Sequence, residues 1–215
     1  ATAGRDGTAR LWNLCGQQLA EFKGHLGEVR SVSFGPDGKM LVTAGRDGTA
    51  RLWNLCGQQL AEFKAHQYGV NSIAFSLDGK RLVTAGSDGI ARLWNLCGQQ
   101  LAEFRGHLGE VNSVASSPDG KMLVTAGRDG TARLWNLCGQ QLAEFKAHQY
   151  GVNSVAFSPD SKMLATVGHY SPTKLWRVNG LDELLAQGCD WLKDYVAANP
   201  EEQKVREICK SYNLG

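Results

Sequence analysis

The chain has 215 residues, of which 42% are hydrophobic and 20% charged, and carries a formal net charge of +2. That length can bury a sizeable core, and that charge balance argues against nucleic acid or an anionic membrane as the main partner. No apolar run approaches the roughly 20 residues that span a bilayer and no secretory signal is visible, which points to a cytoplasmic protein.

The chain is inside a repeat from its start. TAGRDGTARLWNLCGQQLAEF begins at Thr2 and returns at Thr43, Thr84 and Thr125, a spacing of 41 residues, with three copies intact and one carrying two substitutions. A decayed fifth copy carries Thr166. Opening on Ala1 inside a repeat, the sequence is expected to be a piece of a longer polypeptide. Such self-similarity fixes architecture before any single residue is considered.

The first copy supplies mainly two strands, over residues 8–23. The second, residues 25–64, shows the full unit. VRSVSF is a strand, and Pro36-Asp37-Gly38 a turn. KMLVTAG is the next strand, then Arg46-Asp47-Gly48 a tight turn. In TARLWNL, Ala50 and Leu52 alternate with Arg51 and Trp53, a period of two. Cys56-Gly57 turns into QQLAEFK. Four short strands with turns between them, and no helical pattern, recur in the next two copies. The last, residues 152–176, has three strands. Most of the 26 glycines fall at fixed repeat positions and read as turn punctuation.

Four strands per unit of about 40–45 residues is the signature of a propeller blade. A lone sheet of this kind cannot bury both faces, whereas radially packed blades can. Cys15, Cys56, Cys97 and Cys138 share one repeat position. Equivalent positions on packed sheets lie about 10 Å apart or more, beyond the roughly 7 Å between Cα atoms that a disulfide spans. They also lack the close spacing of a zinc site, so they read as turn residues.

The GH before the first strand, the DG six residues before tryptophan and the RLWN of the third strand resemble a WD-repeat (WD-40) β-propeller. The resemblance covers residues 1 to about 177, with Trp-Asn (Asn13, Asn54, Asn95, Asn136) in place of the usual Trp-Asp. It implies an all-β fold of about five blade-equivalents, with partial terminal blades, over residues 1–178. It also implies a hydrogen-bond network locking each blade: His25, Thr43, Asp47 and Trp53; His66, Thr84, Asp88 and Trp94; His107, Thr125, Asp129 and Trp135. The last copy keeps His148, Thr166 and Trp176 but has Tyr170 where aspartate belongs, so its lock is expected to be weaker.

Histidine, threonine and aspartate recurring together also suggest hydrolase parts. A catalytic triad has no reason to recur in every blade, and one histidine per blade without a second nearby ligand is no metal site. The structural reading is therefore preferred, with no catalytic residue, cofactor or metal expected.

In the family, the GH loop and the aspartate turn open on one face. Residues beside the locks are therefore the candidate partner-binding set: Leu26, Glu28 and Arg46; Gln67, Tyr68 and Ser87; Leu108, Glu110 and Arg128; Gln149, Tyr150 and His169. Tyrosine and arginine are enriched in binding hot spots. GHLGEV alternates with AHQYGV, so the true unit is a pair of blades.

The missing fourth strand of the last copy can be supplied by residues 17–23, closing four blades within one chain. A ring shared by two chains, or one with further upstream blades, is the alternative. An incomplete ring completed by association, as in a homo-oligomer, is favoured, because an open blade exposes strand edges.

From Asn179 the pattern changes. Leu181, Leu184, Leu185, Leu192, Tyr195 and Val196 recur at helical spacing, and Asn199-Pro200 caps a second short helix. Residues 179–215 are thus expected to be a helical extension packed on the last blade, or else a docking helix. GLDELLAQGCDWLKDYVAANP resembles the C-terminal extension of large cyanobacterial WD-repeat proteins, many with an upstream NTPase. No phosphate-binding loop lies in this chain. The expected function is a non-enzymatic scaffold or sensor that binds a protein or peptide. The alternatives are a self-assembly module and an enzymatic propeller with a central-channel site.

Overall fold

A computed structural model describes residues 1–178; the expected helices of residues 179–215, and the resemblance of that segment, lie outside the described residues. Ala1–Trp176 forms one compact unit. Among the described residues the regular structure is all β.

The first sheet holds β1 (Thr2–Ala3), β2 (Thr8–Trp12) and β3 (Gln18–Lys23). The second holds β4 (Val29–Phe34), β5 (Met40–Gly45), β6 (Thr49–Asn54) and β7 (Gln59–Lys64). The third has β8 (Val70–Phe75), β9 (Arg81–Gly86), β10 (Ile90–Asn95) and β11 (Gln100–Arg105). The fourth has β12 (Val111–Ser116), β13 (Met122–Gly127), β14 (Thr131–Asn136) and β15 (Gln141–Lys146). The fifth ends the series with β16 (Val152–Phe157), β17 (Met163–Gly168) and β18 (Ser171–Arg177). Neighbours in each sheet are consecutive in the chain, as antiparallel hairpins require.

Each sheet packs on the next through its first strand: β4 against β8, β8 against β12, β12 against β16. The core therefore lies between sheets. One cluster joins Val42, Leu52 and Phe63 of the second sheet to Val70, Ile73 and Trp94 of the third. Phe22, Phe63, Phe104 and Phe145 each meet the tryptophan of the following sheet, with ring centroids 5.3–6.4 Å apart. Such aromatic pairs contribute about 0.5–1.5 kcal/mol beyond their area burial. Trp12 has no such phenylalanine before it and is exposed.

The hairpin turns follow from local chemistry. Asn54 Oδ1 accepts from the backbone N–H of Cys56 at 3.1 Å and Gln58 at 2.9 Å, and its amide donates to Gln58 Oε1 at 2.9 Å. The same set recurs at Asn13, Asn95 and Asn136. Asparagine thus supplies a donor that aspartate would lack. Gly48 has φ 78°, and a Cβ there would collide with the His66 carbonyl.

Closure of four blades within one chain is not what the structure forms. Residues 18–23 pair with β2 of their own sheet (Ala9 opposite Phe22, Leu11 opposite Ala20), and β18 is the last strand of its sheet. A short hairpin closes at far lower entropic cost than a contact across the whole chain.

Candidate functional site

The structure brings each predicted lock set together. Trp53 Nε1 donates to Thr43 Oγ1 at 2.9 Å, Thr43 Oγ1 lies 2.8 Å from His25 Nε2, and His25 Nδ1 lies 3.1 Å from both Asp47 oxygens. A carboxylate only accepts, so neutral His25 carries its proton on Nδ1 and its Nε2 accepts from the threonine hydroxyl. The chain of donation therefore runs one way, from tryptophan through threonine and histidine to aspartate. The sets His66–Thr84–Asp88–Trp94 and His107–Thr125–Asp129–Trp135 repeat it within 0.2 Å. Thr43, Thr84 and Thr125 are fully buried.

Burial holds the His25 and His107 imidazoles below their ordinary pKa, with the aspartates opposing it only in part. For Asp47 and Asp129, burial works upward but is outweighed by donors, among them the backbone N–H groups of Leu26 and Leu108; both carboxyls stay below the usual range. These groups are tuned to be a neutral imidazole and a carboxylate, a structural pairing.

Two sets differ in ways the repeat pattern foreshadows. Where Asp47 and Asp129 accept from Thr49 and Thr131 hydroxyls at 2.8 Å, Ile90 offers none. Arg92 fills the gap, donating to Asp88 Oδ2 at 2.7 Å. In the last sheet Tyr170, exposed and at φ 51°, replaces the aspartate. The Ser171 hydroxyl lies 2.5 Å from His148 Nδ1 instead, while Trp176 and Thr166 keep their bond at 3.0 Å.

Beside the locks, Leu26 and Leu108 are each 91% exposed, and Tyr68 and Tyr150 are exposed too. The locks hold the leucines in place: the Leu26 N–H donates to Asp47 Oδ2, and the Leu108 N–H to Asp129 Oδ2, both at 2.9 Å. Ser87, Leu108, Glu110 and Arg128 line one open cleft between the third and fourth sheets. Arg128 Nη1 reaches Glu110 Oε1 at 3.5 Å, and Glu28 takes Arg5 at 3.2 Å and Arg30 at 3.7 Å. Arg46, Gln67, Gln149 and His169 are exposed, the last with its ring beside Tyr170.

Ser87 sits differently from its counterparts. It is half-buried and donates to Asn71 Oδ1 at 3.0 Å, an oxygen that Arg30 also reaches at 2.6 Å. Arginine occupies that turn position in the neighbouring repeats, and Arg30 stands where later copies have asparagine. The two departures meet across adjacent sheets, a pairing that reading each repeat separately misses. Tyr170 was also visible only as a missing aspartate, not as an exposed aromatic side chain.

Among the described residues, no three His, Cys, Asp or Glu side chains are grouped as a metal site, and no helix is long and apolar enough to cross a membrane. Cys15, Cys56, Cys97 and Cys138 are free and exposed. A family model described as WD domain, G-beta repeat, matches residues 16–54, 57–95, 98–136 and 139–171. Compared with the curated proteins, the chain has no match.

Proposed function

On the premise that the chain belongs to the WD40 family, we propose that it is a non-enzymatic platform that binds a protein or peptide on the face carrying Leu26, Tyr68, Leu108 and Tyr150. WD repeats generally serve as interaction scaffolds, and this reading locates the contact. The observation that carries it is the alternation of exposed leucine and tyrosine at one loop position through four successive repeats. Nothing in the fold calls for bulky apolar groups there. Burying such side chains against a partner contributes about 1.5–3 kcal/mol each, and arginine–glutamate pairs beside them give a polar rim.

The locks serve this face indirectly. By accepting the Leu26 and Leu108 N–H groups, Asp47 and Asp129 fix the loops before a partner arrives, which lowers the ordering cost of binding. A cytoplasmic setting suits the four free cysteines.

Peptides selected from a random display library on the immobilised chain test the site. The expected outcome is hydrogen-exchange protection by bound peptide at residues 25–28, 66–69, 107–110 and 148–151. Protection confined to the opposite loops, around Cys56 and Cys97, would refute the placement.

A further inference from the structure

The two ends of the described unit are incomplete in complementary ways. The first sheet lacks a counterpart of the inner strands β4, β8, β12 and β16, and the fifth lacks a counterpart of the outer strands β7, β11 and β15. Burial records both gaps. Phe34 on β4 is 43% exposed, whereas Phe75 at the same repeat position is 9% exposed. Leu175 on β18 is 69% exposed, whereas Leu134 is 4% exposed. Asn71 and Asn112 donate to the Val111 and Val152 carbonyls of the next sheet, each at 2.9 Å, but Asn153, next in the series, is exposed.

The matched family units begin one strand before each sheet boundary. Residues 16–54 span β3 to β6, and the unit beginning at residue 139 starts with β15. The four units therefore account for the chain from β3 onward and leave only β1 and β2 outside. In the inner units, the leading strand pairs with the last strand of the unit before it, as β7 does with β6. By the same rule β3 is an outer strand for a β18. Leu11 and Leu175 stand at the same repeat position, four repeats apart, so β18 can oppose β3 as β2 does, with Leu175 facing Ala20.

The geometry points to a ring made by two copies of this chain, in which β18 of each pairs with β3 of the other and displaces β1 and β2. Each junction sheet is then β16, β17 and β18 from one copy and β3 from its partner. Its inner strand β16 packs on the partner copy's second sheet and covers the Phe34 position. That sheet in turn covers Leu175 and puts a Val29 carbonyl within the series that Asn153 continues. Four blades per chain give eight in the ring, within the usual range of about 4–8. A second copy is favoured over self-closure because, among the described residues, β3 stays on β2 and no substantial packing joins the first and fifth sheets. A head-to-tail contact whose rotation closes yields a ring rather than a filament.

Light scattering after size exclusion, at several concentrations of the 215-residue chain, is the first test. The expected mass is twice the 23.3 kDa of one chain; a monomer throughout, or a mass that keeps growing with concentration, overturns the inference. The second test is a variant with Ala20→Cys and Leu175→Cys, oxidised and analysed by peptide mass spectrometry. A covalent dimer with residues 20 and 175 joined is expected. A dimer lacking that link, or the same link formed within one chain, refutes the strand exchange.

Discussion

Arg92 donates to the Asp88 carboxylate at 2.7 Å in the repeat where Ile90 replaces the threonine whose hydroxyl serves Asp47 and Asp129. One lost hydroxyl has been answered by one relocated guanidinium. Burial would raise the Asp88 pKa, but His66 and Arg92 together hold its carboxyl far below the usual range. Truncating Arg92→Ala should cost about 2 kcal/mol, because it strips a partner from a largely buried carboxylate. Arg51→Ala should cost less, since Asp47 keeps its threonine donor. Adding Ile90→Thr to Arg92→Ala should restore about 1 kcal/mol, as read from urea unfolding; no recovery would contradict the compensation.

Removing a central hydroxyl should break a lock without changing its shape. Thr43→Val leaves the Trp53 Nε1–H and the His25 Nε2 buried and unpartnered, a loss of about 2–3 kcal/mol. Thr2→Val removes the same bond to Trp12, 2.9 Å long but exposed, and should stay within about 0.5 kcal/mol. Equal effects at the two positions, measured by thermal unfolding, would remove the distinction drawn between buried and exposed copies.

Acid should destabilise the fold in two stages. His25 and His107 have folded pKa values below their ordinary 6.5, so the unfolded chain takes up protons first. Their contribution is complete above pH 6.5 and is lost as the pH falls through the folded values. Protonation also makes Nε2 a donor and reverses the one-way chain through threonine. Asp47 and Asp129, lowered from 3.8, add a further loss in more acidic solution. Urea midpoints measured from pH 8 to pH 4 should fall steadily below about pH 6.5. A maximum near pH 5 would show that the histidines gain protons on folding.

Ser116 occupies the repeat position held by Phe34, Phe75 and Phe157, and its Oγ is buried without a hydrogen-bond partner. Ser116→Phe should fill that site and remove the unsatisfied hydroxyl, stabilising the chain by about 1–2 kcal/mol. A lower melting temperature for this variant would mean that the neighbouring residues have already collapsed onto the site.

The fold was legible because one pattern was written several times over. The period-two alternation of TARLWN and the turns at Asp37 and Asp47 locate strands to within a residue, and the lock partners follow from repeat position. What escaped depends on differences between copies acting in pairs. Arg30 with Ser87, and Ile90 with Arg92, acquire meaning only when strand packing sets one beside the other. Ser171 taking over from the missing aspartate at Tyr170 required the turn geometry itself. The course of β3 was open for a similar reason: QLAEF suits β2 and β18 equally, and proximity along the chain decides.

The central claim is that the locks hold the fold while the loops beside them bind. Two variants measured in parallel test it, with affinity for a selected peptide and melting temperature as readouts. Leu26→Ala with Leu108→Ala should weaken binding tenfold or more, about 1.4 kcal/mol, and leave the melting temperature unchanged. Thr43→Val should lower the melting temperature while a peptide bound at the remaining repeats keeps its affinity. Undiminished binding by the double leucine variant would contradict the account.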